Sequence, residues 1–153
     1  MNNSMYKGFY RLCLILAEHC TGHYDVSRTA DEEVSPAVYL VHHQNLRGPF
    51  ITMIWFDEFL RLWVLNVFCD RKTCFHQFYN YTFTKRFGLP KVIAAIISYL
   101  ISFFVSGLMH TIHAIPVYRG SKAIMKTFKE SISALTNDQS ILICPDRNYK
   151  DKS

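Results

Sequence analysis

AIPVYRGSKAIMKTFKESISALTNDQSILIC, residues 114–144, is the stretch on which the fold turns. It opens on an apolar run, Ala114-Ile-Pro-Val-Tyr118, that stops at Arg119-Gly120-Ser121. It closes on a second run, Ser140-Ile-Leu-Ile-Cys144, that stops at Pro145-Asp146-Arg147-Asn148. Between them Ser121 is placed to cap the start of a helix. On that helix Ile124, Met125, Phe128, Ile132 and Leu135 form one apolar face, with Lys122, Lys126, Lys129 and Glu130 mostly on the other. Asn137-Asp138 turns the chain into the second run. Strand, helix and strand make a βαβ unit, whose connection suits parallel pairing.

Further out, Ala37-Val-Tyr-Leu-Val41 is a third run of the same kind, stopping at His42-His43-Gln44-Asn45. Short β-branched runs bounded by polar residues read as buried strands. The fold class is therefore α/β: a central sheet containing Val38–Val41, Ile115–Val117 and Ile141–Cys144, flanked by helices. Ligands of open sheets sit at the carboxyl ends of the strands. His43, Arg119 and Asp146 are expected together at that edge, as a proton acceptor, an anion clamp and a polar anchor.

Between the first and second runs, Gly48-Pro49 breaks the chain and predicts a helix from about Phe50 to Phe68. Trp55, Phe56, Phe59, Leu60, Leu62 and Trp63 make it apolar on most sides, with polar positions at Asp57, Glu58 and Arg61. Such a helix is buried or lies in a membrane interface. His76 to Phe87 is aromatic and basic and reads as helical, ended by Gly88-Leu89-Pro90. Val92 to Met109 then runs 18 residues without a charge, just short of the roughly 20 that a bilayer span needs. Ser98, Ser102, Ser106 and His110 recur every four residues, a polar stripe suited to packing against protein. With Lys85, Arg86 and Lys91 ahead of it, the segment favours membrane association.

Residues 1–35 read as a short helix, Phe9 to Ala17, and a polar connector around Asp31-Glu32-Glu33; residues 36–153 form the domain proper. The apolar run Leu12 to Ala17 is short, and no small-residue cleavage site follows, so no signal peptide is expected. A chain of 153 residues, half of them apolar, holds one domain with a real core. The net charge of +5 is scattered, which suits an anionic membrane surface or anionic substrates. No Lys/Arg run of five or more occurs, so a nucleic-acid partner is not expected. Five cysteines form no disulfide framework and point to a reduced, cytoplasmic compartment. Cys13, His19, Cys20 and His23 match no paired ligand spacing, and neither a metal nor a cofactor is expected. Asn80-Tyr81-Thr82 matches a glycosylation acceptor, but nothing else argues for secretion.

The three motifs in this order resemble those of the phospholipid/glycerol acyltransferases of the lysophosphatidic-acid acyltransferase type. His42-His43-Gln44-Asn45-Leu46-Arg47-Gly48 lies over that family's Asn-His-x-Ser-x-x-Asp box, with His43 at the histidine. Ile115-Pro116-Val117-Tyr118-Arg119 looks like its second motif, a strand ending in arginine. Cys144-Pro145-Asp146-Arg147-Asn148 stands where its Phe-Pro-Glu-Gly-Thr-Arg motif would fall. The likeness covers about residues 36–149. It departs where the family aspartate falls on Gly48 and the family glutamate on Asp146, and where the chain stops just after the third motif, as an N-terminal portion or a truncated member would.

The resemblance implies a glycerolipid-acyltransferase-like sheet, incomplete at its C-terminal end. It implies transfer of a fatty acyl group from an acyl-CoA or acyl-carrier-protein thioester to a lysophospholipid or glycerol-phosphate hydroxyl. His43 would be the base and Asp146 its partner, with Arg119 on the acceptor phosphate and Asn45 and Gly120 lining the substrate. Membrane association at the cytoplasmic face and a role in phospholipid biosynthesis follow. The alternative is a non-catalytic, membrane-associated relative. Read without the resemblance, His42-His43 suits packing or turn chemistry as well as catalysis, and Asp146-Arg147 suits a local ion pair. An exposed hydrophobic patch is also expected, which disfavours a soluble monomer.

Overall fold

The computed structural model describes residues 35–42, 47–56, 58–120 and 122–145, with the helical residues Cys13, Ile15 and His19. The chain is α/β, with a four-stranded sheet and helices around it. It divides into two compact units, Met1–Trp63 with Lys129–Ser153, and Val64–Phe128.

In order, the elements are β1 (Val38–Leu40), α1 (Arg47–Trp55), β2 (Leu60–Leu65), α2 (Asn66–Cys69), α3 (Arg71–His76), α4 (Gln77–Arg86), α5 (Lys91–Thr111), β3 (Ile115–Val117), α6 (Ile124–Thr136) and β4 (Ser140–Ile143). The strand order is β1-β4-β2-β3. β4 pairs in parallel with both neighbours, Tyr39↔Leu142 on one side and Leu62↔Leu142 on the other. Leu60, Ile141 and Leu142 are at most 1% exposed and form the core there.

Several sequence expectations change. The helix foreseen over Phe50–Phe68 is helix α1 followed by strand β2 and the short α2. The run Leu60-Arg-Leu-Trp-Val-Leu65 is an interior strand, and such strands read as near-continuous apolar runs that periodicity cannot tell from a buried helix. That strand lies between β4 and β3, so the βαβ unit crosses over a strand instead of pairing its two strands directly. β1 is an edge strand one residue shorter than expected, and Val38 and Leu40 are exposed instead of buried.

Helix α6 also turns differently. Its buried residues are Thr127, Ser131 and Ala134, while Met125, Phe128 and Ile132 are exposed. Trp63 on β2 donates its indole N–H to Ser131 Oγ at 3.0 Å. Arg61, two residues earlier and on the same strand face, donates to Gln139 Oε1 at 3.4 Å. Trp63 is half-buried, and an indole N–H shielded from water favours a hydroxyl acceptor over an apolar neighbour, which suits the polar line of the helix to the inward side.

In the second unit, Asp70 caps α3 by accepting the Thr73 N–H at 2.9 Å and the Thr73 hydroxyl at 3.1 Å. Those bonds, the backbone one first, hold the Asp70 carboxyl below the ordinary aspartate range. α4 is the helix expected over His76–Phe87, but wound as a π-helix, with Phe87 N–H bonded to Thr82 O at 3.1 Å. The i→i+5 winding stacks Phe78 on Phe83, with ring centroids 6.0 Å apart. Gly88, at φ 65°, ends it in the left-handed conformation. α5 extends the expected uncharged helix by a residue or two at each end, and it is long and apolar enough to cross a membrane. It packs on α2, α3 and α4 through Ala94, Ser98, Ser102 and Ser106. The serine stripe is buried as expected, but His110 is exposed and not part of it.

Candidate active-site edge of the sheet

A parallel pair sends both its strands out at the same edge. β1 and β4 run in step, Leu40 opposite Ile143, and the Val41 N–H adds one more rung to Ile143 O at 3.0 Å. His42 and Cys144-Pro145 therefore leave the sheet side by side, at the carboxyl edge where a ligand is expected. His42 is exposed there. His43, Asn45 and Asp146, the expected base, substrate contact and carboxylate, lie outside the described residues.

Helix α1 starts directly on this edge. A Cβ at Gly48 would collide with the His42 carbonyl oxygen and lie 3.3 Å from Val41 Cγ1. The Thr52 hydroxyl donates to Gly48 O at 2.9 Å and ties that turn down. No side chain fits at position 48 in this backbone, so a carboxylate to orient a histidine cannot come from there.

The sheet beneath is anchored by Glu58, a residue to which the sequence pattern assigns no role of its own. Glu58 Oε2 accepts from Tyr39 OH and from Ser140 Oγ, each at 3.3 Å. Ser140 Oγ in turn accepts the Ala37 N–H at 3.1 Å. One carboxylate thus links the segment before β2 to both strands of the β1/β4 pair. Arg61, expected on the polar side of a helix, is instead a half-buried strand cation. Desolvation lowers its guanidinium pKa, and the charge of Glu130 works against that shift.

In the other unit, β3 ends at Val117 and the chain turns through Tyr118, Arg119 and Gly120. The fully buried Thr127 holds that turn: its hydroxyl donates to Pro116 O at 2.8 Å and accepts the Tyr118 N–H at 3.2 Å. The Ile124 N–H bonds to Gly120 O at 3.2 Å, and Gly120 takes φ 138°, which a side chain would strain. Arg119 is thereby presented on an exposed, pinned turn. Thr127 had a faint signal in the sequence, a β-branched hydroxyl one turn after Ile124 on the line the helix buries.

Among the described residues no group of histidine, cysteine and carboxylate side chains is arranged to hold a metal ion. No family model, curated protein or solved structure matches the chain.

Proposed function

We propose that the chain works at a membrane surface in glycerolipid acyl transfer. The observation that carries this reading is the placement of strands: β1, β3 and β4 each end just before one of the three polar clusters. In the proposed reaction His43 takes the proton of the acceptor hydroxyl. The oxygen attacks the thioester carbonyl, the C–S bond breaks, and the imidazolium returns the proton to the departing thiolate. A histidine titrates near neutrality and suits both steps; a positioned base of this kind contributes roughly 10²–10⁴-fold. Arg119 would hold the acceptor phosphate with its planar fork, Gly120 and Asn45 would line the acceptor, and Asp146 would orient the histidine. The donor is an acyl-CoA or acyl-carrier-protein thioester. The acceptor is a lysophospholipid or glycerol phosphate, met at the cytoplasmic face of a membrane.

A second reading is favoured by Gly48. With its Cβ position blocked by the His42 backbone, position 48 cannot supply the carboxylate that normally fixes a catalytic imidazole. On that reading the chain is a non-catalytic membrane-associated relative. The two separate in one assay, with labelled acyl thioester and lysophosphatidic acid or glycerol 3-phosphate. Acyl transfer that disappears in His43→Ala, and whose acceptor KM rises in Arg119→Lys, supports catalysis. Transfer that survives His43→Ala removes the role given to that histidine, and no transfer leaves the non-catalytic reading.

A further inference from the structure

Helix α5 is built inside out for a protein in water. The residues it buries are Ala94, Ser98, Ser102 and Ser106, while Val92, Ile96, Tyr99, Leu100 and Phe103 are each more than half exposed. Small residues spaced by four let helices approach closely where no hydrophobic drive pushes them together, as in lipid. At 1.5 Å per residue, its 21 residues extend about 31 Å, which matches the hydrocarbon thickness of a bilayer. Length and composition therefore allow it to span.

The charges around its middle turn argue otherwise. The Arg71 guanidinium sits 4.8 Å from the Tyr99 ring centroid and 5.1 Å from that of Phe103. Asp70, Arg71 and Lys72 line an open groove of about 390 Å³ with Phe75, Tyr99 and Ser102. All three charged residues are exposed. Upright, α5 would carry them to the bilayer midplane, where exposed ionised side chains are rare and costly. Laid flat, the same helix keeps them at headgroup depth, with Tyr99 as an interfacial aromatic beside them. Lys85, Arg86 and Lys91 are likewise exposed, and this basic rim complements an anionic leaflet.

We propose that α5 lies in the plane of an anionic phospholipid leaflet and does not cross it, with Val92, Ile96, Leu100 and Phe103 among the acyl chains and Arg71 at the headgroup phosphates. The inference rests on the membrane-surface reading above, and it decides an orientation which that reading leaves open.

The test uses the full chain with vesicles of phosphatidylcholine and phosphatidylglycerol. Tryptophan is introduced separately as Val92→Trp, Leu100→Trp and Gly107→Trp, all at exposed positions; a Cβ at Gly107 meets nothing within 4 Å. Quenching by lipids brominated at different depths is read against the parent protein. In-plane binding gives the three the same shallow depth. A spanning helix separates Val92 from Gly107 by about 22 Å along its axis, with Leu100 deepest, and that profile overturns the proposal while leaving membrane association intact. Cosedimentation without added quenching at any position also overturns it, because the face is then covered by protein, such as a second copy. Failure to cosediment with vesicles removes both the orientation and the membrane-surface reading. Arg71→Ala is expected to weaken binding about fivefold on phosphatidylglycerol vesicles and little on pure phosphatidylcholine. An equal loss on both removes the headgroup contact.

Discussion

The interior of the sheet and the interior face of α5 are opposite solutions to burial. Around β4, large aliphatic side chains are inside: Leu60, Ile141 and Leu142 are at most 1% exposed, and the buried Ser140 hydroxyl is satisfied by Glu58. Along α5, small residues are inside and the large ones face out. At roughly 25 cal/mol per Å² of apolar area removed from water, the first arrangement is driven by water. The second gains little from it, since alanine and serine offer little apolar area. It depends on close backbone packing against α2, α3 and α4. The difference teaches that a contiguous exposed apolar face is a feature that an interaction, with protein or with membrane, has to explain.

The comparison breaks most sharply at the core. Leu142→Ala should cost about 2–5 kcal/mol in denaturant unfolding, because it leaves a cavity among side chains that cannot all collapse. Phe103→Ala should change that measurement by less than about 0.5 kcal/mol, yet weaken vesicle binding several-fold. Equal effects on stability would mean that the two faces do not differ as described.

Next in size are the two sites with no room. Gly48→Asp, which introduces the aspartate carried at this place by the motif the sequence resembles, should destabilise by about 1–3 kcal/mol, since the new Cβ must displace the His42 backbone. A stability unchanged by Gly48→Asp would remove the steric argument against a carboxylate there. Ser102→Leu should cost a similar amount by forcing α5 away from its neighbours. The conservative Ser102→Ala should be nearly neutral, because the hydroxyl only returns to Tyr99 O of its own helix, at 3.0 Å.

A smaller effect is expected from salt. In the proposed membrane-bound state, apolar burial of the α5 face would outweigh the basic rim, which adds about 1 kcal/mol per residue near an anionic surface, so most of the protein should stay on vesicles in 1 M salt. Release of most of it would mean that charge, and not apolar burial, holds the protein on the membrane.

The smallest effect concerns Cys74, fully buried on α3. Burial, helped by the charge of Asp70, pushes its thiol up to about 11. The folded state thus keeps the proton to higher pH than the unfolded chain, whose cysteines ionise at about 8.5. Its contribution to stability is complete below that value and is lost as pH rises toward 11. The same burial predicts slow alkylation of Cys74 under native conditions at pH 8, with rapid reaction after denaturation. Prompt native-state labelling of Cys74 would show that the helices around it open readily.

Much of this was legible in the residues. The runs at 38–41, 115–117 and 141–144 are strands within a residue, because β-branched runs with polar ends have few other uses. The uncharged stretch Val92–Met109 is a helix, and its serine stripe is what packs. The α/β class, the turn at Asn137-Asp138 and the ending at Gly88 were carried by local chemistry: strand propensity, turn residues, and a glycine free to take positive φ.

Tertiary structure alone decided the rest. That Leu60–Leu65 is a strand depends on β4 and β3 being there to pair with it, and no local pattern carries that information. The inward face of α6 was set by Trp63 needing an acceptor, which drew Ser131 in and left Ile132 out, against the amphipathic pattern. Gly48 looks in the sequence like a lost aspartate; in the fold it is where helix α1 touches the His42 carbonyl. Periodicity reports what a segment can bury. Which of its faces is buried depends on partners distant in the chain, through hydrogen bonds and close approaches that exist only once the segments have met.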